Sequence, residues 1–128
     1  SLIPERAALG QHYDVEVSED TSYPVVYLKD AVDALYCLAT AREAPRRIYN
    51  VASGNVVVSE MVAYVKKLIP EASFAFKPDP VIMQVVGGYK EWEISCQRVA
   101  EDLGWKPSYA VRPMVDDIIA TARAGAAG

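Results

Sequence analysis

The stretch "EDLGWKPSYAVRPMVDDIIATARA", residues 101–124, contains the end of one helix, a break and the start of another. A helix over residues 95–103 would direct Val99 and Leu103 inward, and Gly104 follows it where a glycine adopts the left-handed conformation without strain. Pro107 disfavours a helical conformation in the residue before it. Beyond the break, apolar residues recur at helical spacing and predict a second, core-facing helix; they are Val111, Met114, Val115, Ile118, Ile119 and Ala122.

Two further expectations concern Trp105 and the C-terminal residues. Trp105 is predicted to be a core residue that folds back on the first helix, and residues 124–128 are predicted to fray.

The composition is that of a globular chain of a single domain, residues 1–128. With 13 basic and 17 acidic residues and no basic run longer than two, a nucleic-acid partner is not expected. No apolar run approaches the roughly 20 residues of a membrane span, so no membrane partner is expected either. Cys37 and Cys96 match no metal-ligand spacing. These features together favour a reduced, cytoplasmic protein without a metal.

The pattern before residue 60 alternates between strand and helix signals. Residues 13–20 and 23–28 alternate as strands do and predict a pair joined by a short turn. Residues 29–42 predict a helix, with Asp30 near its N-terminus as a capping residue. Residues 47–53, "RIYNVAS", predict a strand, and a turn is expected at Gly54-Asn55.

After residue 58 the pattern predicts a helix, a strand and a long loop. Ser59 is a plausible N-cap, and Pro70 ends the helix. Residues 73–78 alternate as a strand, and residues 79–92 are expected to form a mobile loop with one short helical turn. The predicted buried positions of the helix are Met61, Val62, Val65, Leu68 and Ile69.

Several chemistries have no signal in the sequence. The single histidine, His12, would have to serve any Ser-His-Asp arrangement, so a hydrolase is not predicted. No Gly-x-Gly-x-x-Gly stretch occurs, and no lysine has a tyrosine four positions before it. No catalytic, cofactor-binding or metal-binding residue is therefore predicted.

The order of four segments carries a resemblance to a known family. "VVYLKDAVDALYCLA", "RIYNVASG", "VSEMVAYVKKLI" and "AEDLGWKPSY" resemble the C-terminal part of the NAD-dependent epimerase/dehydratase family, the extended short-chain dehydrogenases/reductases, over residues 23–122. The resemblance implies an α/β fold with short strands alternating with three to four helices, and with the Rossmann half missing. In that family the missing half binds NAD or NADP and supplies the catalytic Tyr and Lys. The chain alone is therefore expected to bind no cofactor and to be inactive.

The resemblance leaves the substrate open. The leading interpretation is the substrate-binding part of a nucleotide-sugar epimerase or dehydratase. "SYPVVYLKD" and "KKLIPEASFAFKPD" resemble instead the short-chain threonine dehydrogenases, although their Ser-Trp-Pro is absent here. Nucleotide-sugar enzymes commonly place an Arg where this chain has Tyr23, and no Arg occurs between Lys77 and Arg98. A non-enzymatic α/β interaction module is the alternative outside the enzymes.

The candidate substrate-binding residues are Asn50, Tyr89, Lys90 and Trp92, with Glu93 beside them. Asn is otherwise a poor strand residue, and the loop combines aromatic rings with both charges. The resemblance also implies that the predicted helix 29–42 and strand 47–53 face the missing half. Without that half a homo-oligomer is expected through apolar side chains on this face; the candidates are Val32, Leu35, Leu38, Ile48 and Val51.

Overall fold

The computed structural model describes residues 2–87 and 92–127. Its class is α/β, as predicted, but the described residues hold six helices rather than three to four. The helices are α1 (Leu2–Ala8), α2 (Leu28–Thr40), α3 (Val58–Leu68), α4 (Pro80–Val86), α5 (Gln97–Leu103) and α6 (Val111–Ala126). The strands are β1 (Tyr13–Val15), β2 (Ser22–Val25), β3 (Gly54–Val57) and β4 (Phe74–Phe76).

The four strands form two separate two-stranded sheets. β1 pairs in parallel with β4, with Tyr13 opposite Phe74. β2 pairs antiparallel with β3, with Ser22 opposite Val57. The predicted pairing of residues 13–20 with 23–28 is therefore wrong. Alternation reports which face of a strand is apolar, but it carries no information about the partner strand.

The main core lies between α1, α3, α6 and the strands. The predicted stripes of α3 and α6 supply much of it, and Val65 and Val115 have no exposed surface. Leu68 is an exception, because it is exposed at the end of α3. The helix α1 had no sequence prediction, and it buries Ile3, Pro4 and Ala7 against this core.

A second cluster surrounds Trp105. Trp105 is buried with Ala34 and Val99, as predicted for the tryptophan and the valine. Gly104 has φ of 68°, the left-handed conformation expected of the residue that ends α5. Both cysteines pack beside this cluster as free thiols.

The helix α2 forms as predicted, and its apolar stripe faces solvent, as expected for Val32 and Leu35 on the uncovered face. Leu28 is 73% exposed, Val32 56% and Leu35 67%, whereas Asp30 and Ala34 are buried. The sequence pattern sets the direction in which apolar side chains point, not what covers them. Of the predicted apolar face, Ile48 is also exposed, whereas Leu38 and Val51 are half-buried.

Three local predictions between residues 47 and 59 are wrong. Residues 47–53 form no regular strand, and β3 begins at Gly54, where a turn was expected. The glycine that predicted a turn begins a strand instead. Gly54 has φ of 136°, a backbone conformation that glycine tolerates. Ser59 is not an N-cap, since α3 begins at Val58 and makes no side-chain cap hydrogen bond.

Two later predictions need correction as well. α4 occupies two turns of the segment expected to be a loop, and the Asp79 carboxylate accepts hydrogen bonds from the Val81 and Ile82 amides. Residues 88–91 of that expected loop lie outside the described residues. The prediction that the tail frays is wrong for residues 124–126, because they form the end of α6.

Candidate functional site

The buried Asp30 side chain connects three segments of the chain: α2, the residues before β3 and the loop before α6. Its carboxylate accepts a 2.6 Å hydrogen bond from the Ser53 hydroxyl and bonds of 2.8 Å and 3.2 Å from the Ser108 and Tyr109 amides. The Ser53 oxygen in turn accepts a hydrogen bond from the Tyr27 amide. The prediction that Asp30 caps its own helix is therefore wrong. The carboxylate instead ties α2 to the start of β3 and to the loop before α6.

The predicted site residues are only partly placed by the structure. Asn50 lies in the irregular segment before β3 and is exposed. Trp92 is 59% exposed, and its carbonyl oxygen accepts a 2.7 Å hydrogen bond from the Asn55 side chain. Tyr89 and Lys90 lie outside the described residues. Asn50 and Trp92 are thus not shown to share a site.

Asn55 is a candidate that the sequence interpretation missed. It was assigned to a turn, yet it lies on β3 beside two cavities. One cavity, of about 240 Å³, lies between the Ser53–Asn55 backbone and Glu93, Ile94 and Pro107. A signal was available, since an asparagine directly before the apolar residues 56–58 requires a polar partner for its amide if that segment is buried.

The second cavity beside Asn55 has a volume of about 500 Å³ and lies between α3 and the start of α6. Lys67 and Arg112 line it, and neither makes an ion pair within residues 2–87 and 92–127. The Arg112 guanidinium lies 5.4 Å from the centre of the Tyr64 ring. The Tyr64 hydroxyl donates a hydrogen bond to Asp116, which raises the pKa of this phenol. Glu60 also lines this cavity, so its charged lining consists of two basic side chains and one acidic side chain.

A third cavity, of about 70 Å³, lies between the loop before β2 and α4. The Ser18 hydroxyl bonds to the Asp20 carboxylate at 2.7 Å and to the Thr21 hydroxyl at 2.9 Å. The Ser18 amide also donates to the sulfur of Met83. The cavity is thus lined by hydroxyl groups and a carboxylate, and it has room for only a few non-hydrogen atoms.

Tyr27 is not suited to proton transfer near neutral pH. Burial, followed by its hydrogen bond to the Asp117 carboxylate, raises the pKa of Tyr27 to about 12. Lys29 and Tyr27 in turn lower the pKa of Asp117. The phenol therefore stays protonated, and the group has a structural role that links α2 to α6.

His12 has polar partners that the sequence did not suggest. Its ring nitrogens lie 2.7 Å from the Ser73 hydroxyl and 2.9 Å from the Asp14 carboxylate. Lys77, followed by His12, lowers the pKa of Asp14. The side chains of His12 and Asp14 are 52% and 41% exposed. Water therefore screens this cluster, which lacks the enclosed setting in which such a trio activates a serine.

Residues 2–87 and 92–127 contain neither a candidate metal site nor a helix suited to cross a membrane. No group of three His, Cys, Asp or Glu side chains could hold a metal ion. Among these same residues, every helix is too short or too polar to cross a membrane.

Comparison with known proteins gives matches in structure only. Neither a protein-family model nor a curated protein matches the sequence. A partial consensus L-threonine 3-dehydrogenase matches with a TM-score of 0.79 and 27% identity, over 95% of this chain and 40% of its own. The GalE-like L-threonine dehydrogenase from Cupriavidus necator, in its apo form, matches with a TM-score of 0.78 and 27% identity, over 93% and 43%.

An epimerase shares the same fold. The UDP-glucose 4-epimerase of Thermotoga maritima, solved with UDP-glucose, matches with a TM-score of 0.75 and 16% identity, over 98% of this chain and 39% of its own. The chain thus spans about 40% of the length of these structures. At the level of fold, it corresponds to one part of the epimerase and short-chain dehydrogenase superfamily.

Proposed function

We propose that the chain is the substrate-side part of an NAD(P)-dependent oxidoreductase that resembles threonine dehydrogenase, and that it is inactive alone. The observation that carries this proposal is the match of nearly the whole chain to 40% of the L-threonine dehydrogenase structures. The remaining part of such an enzyme would bind NAD or NADP and supply the proton-transfer residues. The proposed substrate is a small polar molecule of the size of threonine.

The third cavity supports a small substrate. A volume of about 70 Å³ admits a hydroxyl or ammonium group but not a sugar ring. The Asp20 carboxylate and the hydroxyls of Ser18 and Thr21 offer acceptors for such a group. Tyr23 has no charge to bind a pyrophosphate, whereas Arg binds phosphate with a planar pair of donors.

One observation favours a nucleotide-sugar epimerase or dehydratase as the second candidate. The cavity of about 500 Å³ holds Lys67 and Arg112 without ion pairs in the described part of the chain, and a phosphate could neutralise them. The full-length protein distinguishes the two candidates. Reduction of NAD with L-threonine supports the dehydrogenase, whereas interconversion of UDP-sugars without that activity supports the epimerase.

The isolated chain is expected to bind no NAD. Calorimetry with NAD at high micromolar chain concentration should give no heat beyond dilution, because the cofactor site would lie in the other half. Micromolar affinity would overturn the proposal that this chain is the substrate side only. The coding sequence upstream of residue 1 provides the complementary test: a glycine-rich Rossmann turn supports the enzyme, and an unrelated domain supports the interaction module.

Replacing Thr21 with Val in the full-length protein is expected to lower kcat/KM for the amino-acid substrate about tenfold, the equivalent of one lost hydrogen bond. Thr21 is buried and shares its hydroxyl with Ser18, so the isosteric Val tests polarity rather than size. Thr121→Val, at an exposed position of α6, is the matched control. Equal kcat/KM for both variants would remove the third cavity from the substrate site.

A further inference from the structure

The third cavity has a polar wall and an apolar wall. The polar wall belongs to the loop before β2 and contains the Ser18 and Thr21 hydroxyls and the Asp20 carboxylate. The apolar wall belongs to α4 and contains Met83 and Val86. Thr21 is buried, and the two apolar side chains are half-buried. A ligand that fills this cavity must therefore combine a polar group with a small apolar group.

The side chain of Met83 closes the cavity on the side of α4. The Ser18 amide donates a hydrogen bond of 3.4 Å to its sulfur atom, and the Thr21 hydroxyl oxygen lies 3.9 Å from the same atom. Its terminal methyl group extends toward the end of α4, where a Cβ at Gly87 would lie 3.9 Å from it. Because glycine has no side chain to fill this space, the Met83 thioether forms this part of the wall.

The start of α4 is held in place by the backbone. The Lys77 amide donates a 2.9 Å hydrogen bond to the Val15 carbonyl, and the Asp79 amide donates a 2.8 Å bond to the Glu16 carbonyl. These bonds continue the pairing of β1 with β4, so they fix the helix relative to the segment that leads into the polar wall. Truncation of Met83 is therefore expected to widen the cavity rather than to move the helix.

A 2-amino-3-hydroxy acid that ends in a methyl group fits the two walls. Its ammonium group can donate to the Asp20 carboxylate and the Ser18 hydroxyl, while its methyl group contacts Met83. These two groups are attached to neighbouring carbons, so both can enter a cavity of about 70 Å³ while the rest of the molecule stays at its mouth. A longer apolar chain would collide with the thioether.

We infer that Met83 determines the substrate length, because it admits a terminal methyl group and excludes a longer chain. The inference rests on the proposed function, since it takes the third cavity as part of the substrate site. It adds what that function leaves open, namely which 3-hydroxy amino acids the site accepts. Met83 is a specificity-determining residue and takes no part in the hydride or proton transfer.

Steady-state kinetics of the full-length protein with two substrates tests the inference. The substrates are L-threonine and L-threo-3-hydroxynorvaline, which is threonine with one additional methylene group. Met83→Ala should raise the ratio of kcat/KM for the longer substrate to kcat/KM for L-threonine at least tenfold, because one methylene in an apolar pocket changes kcat/KM by about 10–200-fold. No residue of α4 is fully buried, so the variant should remain folded in circular dichroism melts and still oxidise L-threonine.

Two further variants separate the length of the cavity from other effects. Met83→Leu keeps the approximate volume but removes the sulfur that accepts from the Ser18 amide, so its ratio should stay close to that of the wild type. Val85→Ala is the matched control, because Val85 lies on the same helix, is 62% exposed and does not line the cavity. Its ratio should equal that of the wild type.

The inference and the proposed function fail in different ways. A wild-type protein that reduces neither NAD nor NADP with L-threonine would overturn the proposed function and the inference with it. A wild-type protein that is active, together with equal ratios for the wild type and Met83→Ala, would overturn the inference alone. A ratio that rises as much in Met83→Leu or Val85→Ala would also overturn it, because the length of the cavity would then not be the cause.

Discussion

Asp30→Asn is expected to lower the free energy of unfolding by about 3 kcal/mol, because the carboxylate accepts three hydrogen bonds inside the protein. An amide keeps one acceptor oxygen, but its NH₂ group then faces an N–H or O–H donor. Asp30 is buried, so water cannot replace the lost partner. The loss affects α2, the start of β3 and the loop before α6 together.

Urea denaturation of the wild type and of two variants measures this effect. Asp33→Asn is the matched control, because Asp33 lies on the same helix but is exposed. Its free energy of unfolding should change by less than about 0.5 kcal/mol, as is usual for surface positions. Similar values for the two variants would show that the Asp30 hydrogen bonds contribute little to stability.

Ile119→Ala is expected to lower the free energy of unfolding by roughly 2–5 kcal/mol, the usual range for a large side chain truncated in a core. Ile119 is buried in the main core, where α6 packs against α1 and α3. From the sequence, Ile118 is predicted to be buried like Ile119, and its truncation to Ala is expected to lower the free energy of unfolding by the same amount. In the structure Ile118 is half-buried: it packs against the main core and also lines a groove with Tyr23 and Met114.

The comparison of the two isoleucines is therefore the informative measurement. Ile118→Ala should cost clearly less than Ile119→Ala, since the groove beside Ile118 is open and leaves a smaller enclosed cavity. Both free energies can be obtained from urea denaturation under the same conditions. A larger loss for Ile118→Ala would mean that α6 is rotated relative to the core described above.

Helix positions were largely readable from the sequence because they depend on local chemistry. The apolar spacing predicted α2, α3 and α6, and Gly104 marked the end of α5. Trp105 was correctly assigned to the interior, since a large ring beside a helix end buries most of its area. α1 was missed because a helix of seven residues with three buried positions gives too little periodicity.

The candidate site was much less predictable. Asn50 and Trp92 were chosen for residue type alone, and the structure does not show them in one site. Asn55 emerged only when β3 placed it next to Trp92, a residue 37 positions away. Ser18 and Thr21 became candidates because α4 lies over them, and their sequence context is that of any polar turn.

By itself the sequence determined the main helices and their apolar faces, because propensity and periodicity act over a few neighbouring residues, and the α/β class followed from the family resemblance. Only the tertiary structure decided which strands pair, which apolar faces are covered and which polar groups meet. Asp30 shows the reason: three of its hydrogen bonds reach residues 23, 78 and 79 positions away. The apolar stripe of α2 gives a second example, since its sequence pattern would suit either a core or an interface. The packing of the rest of the chain on Asp30 and Ala34 leaves that stripe outside.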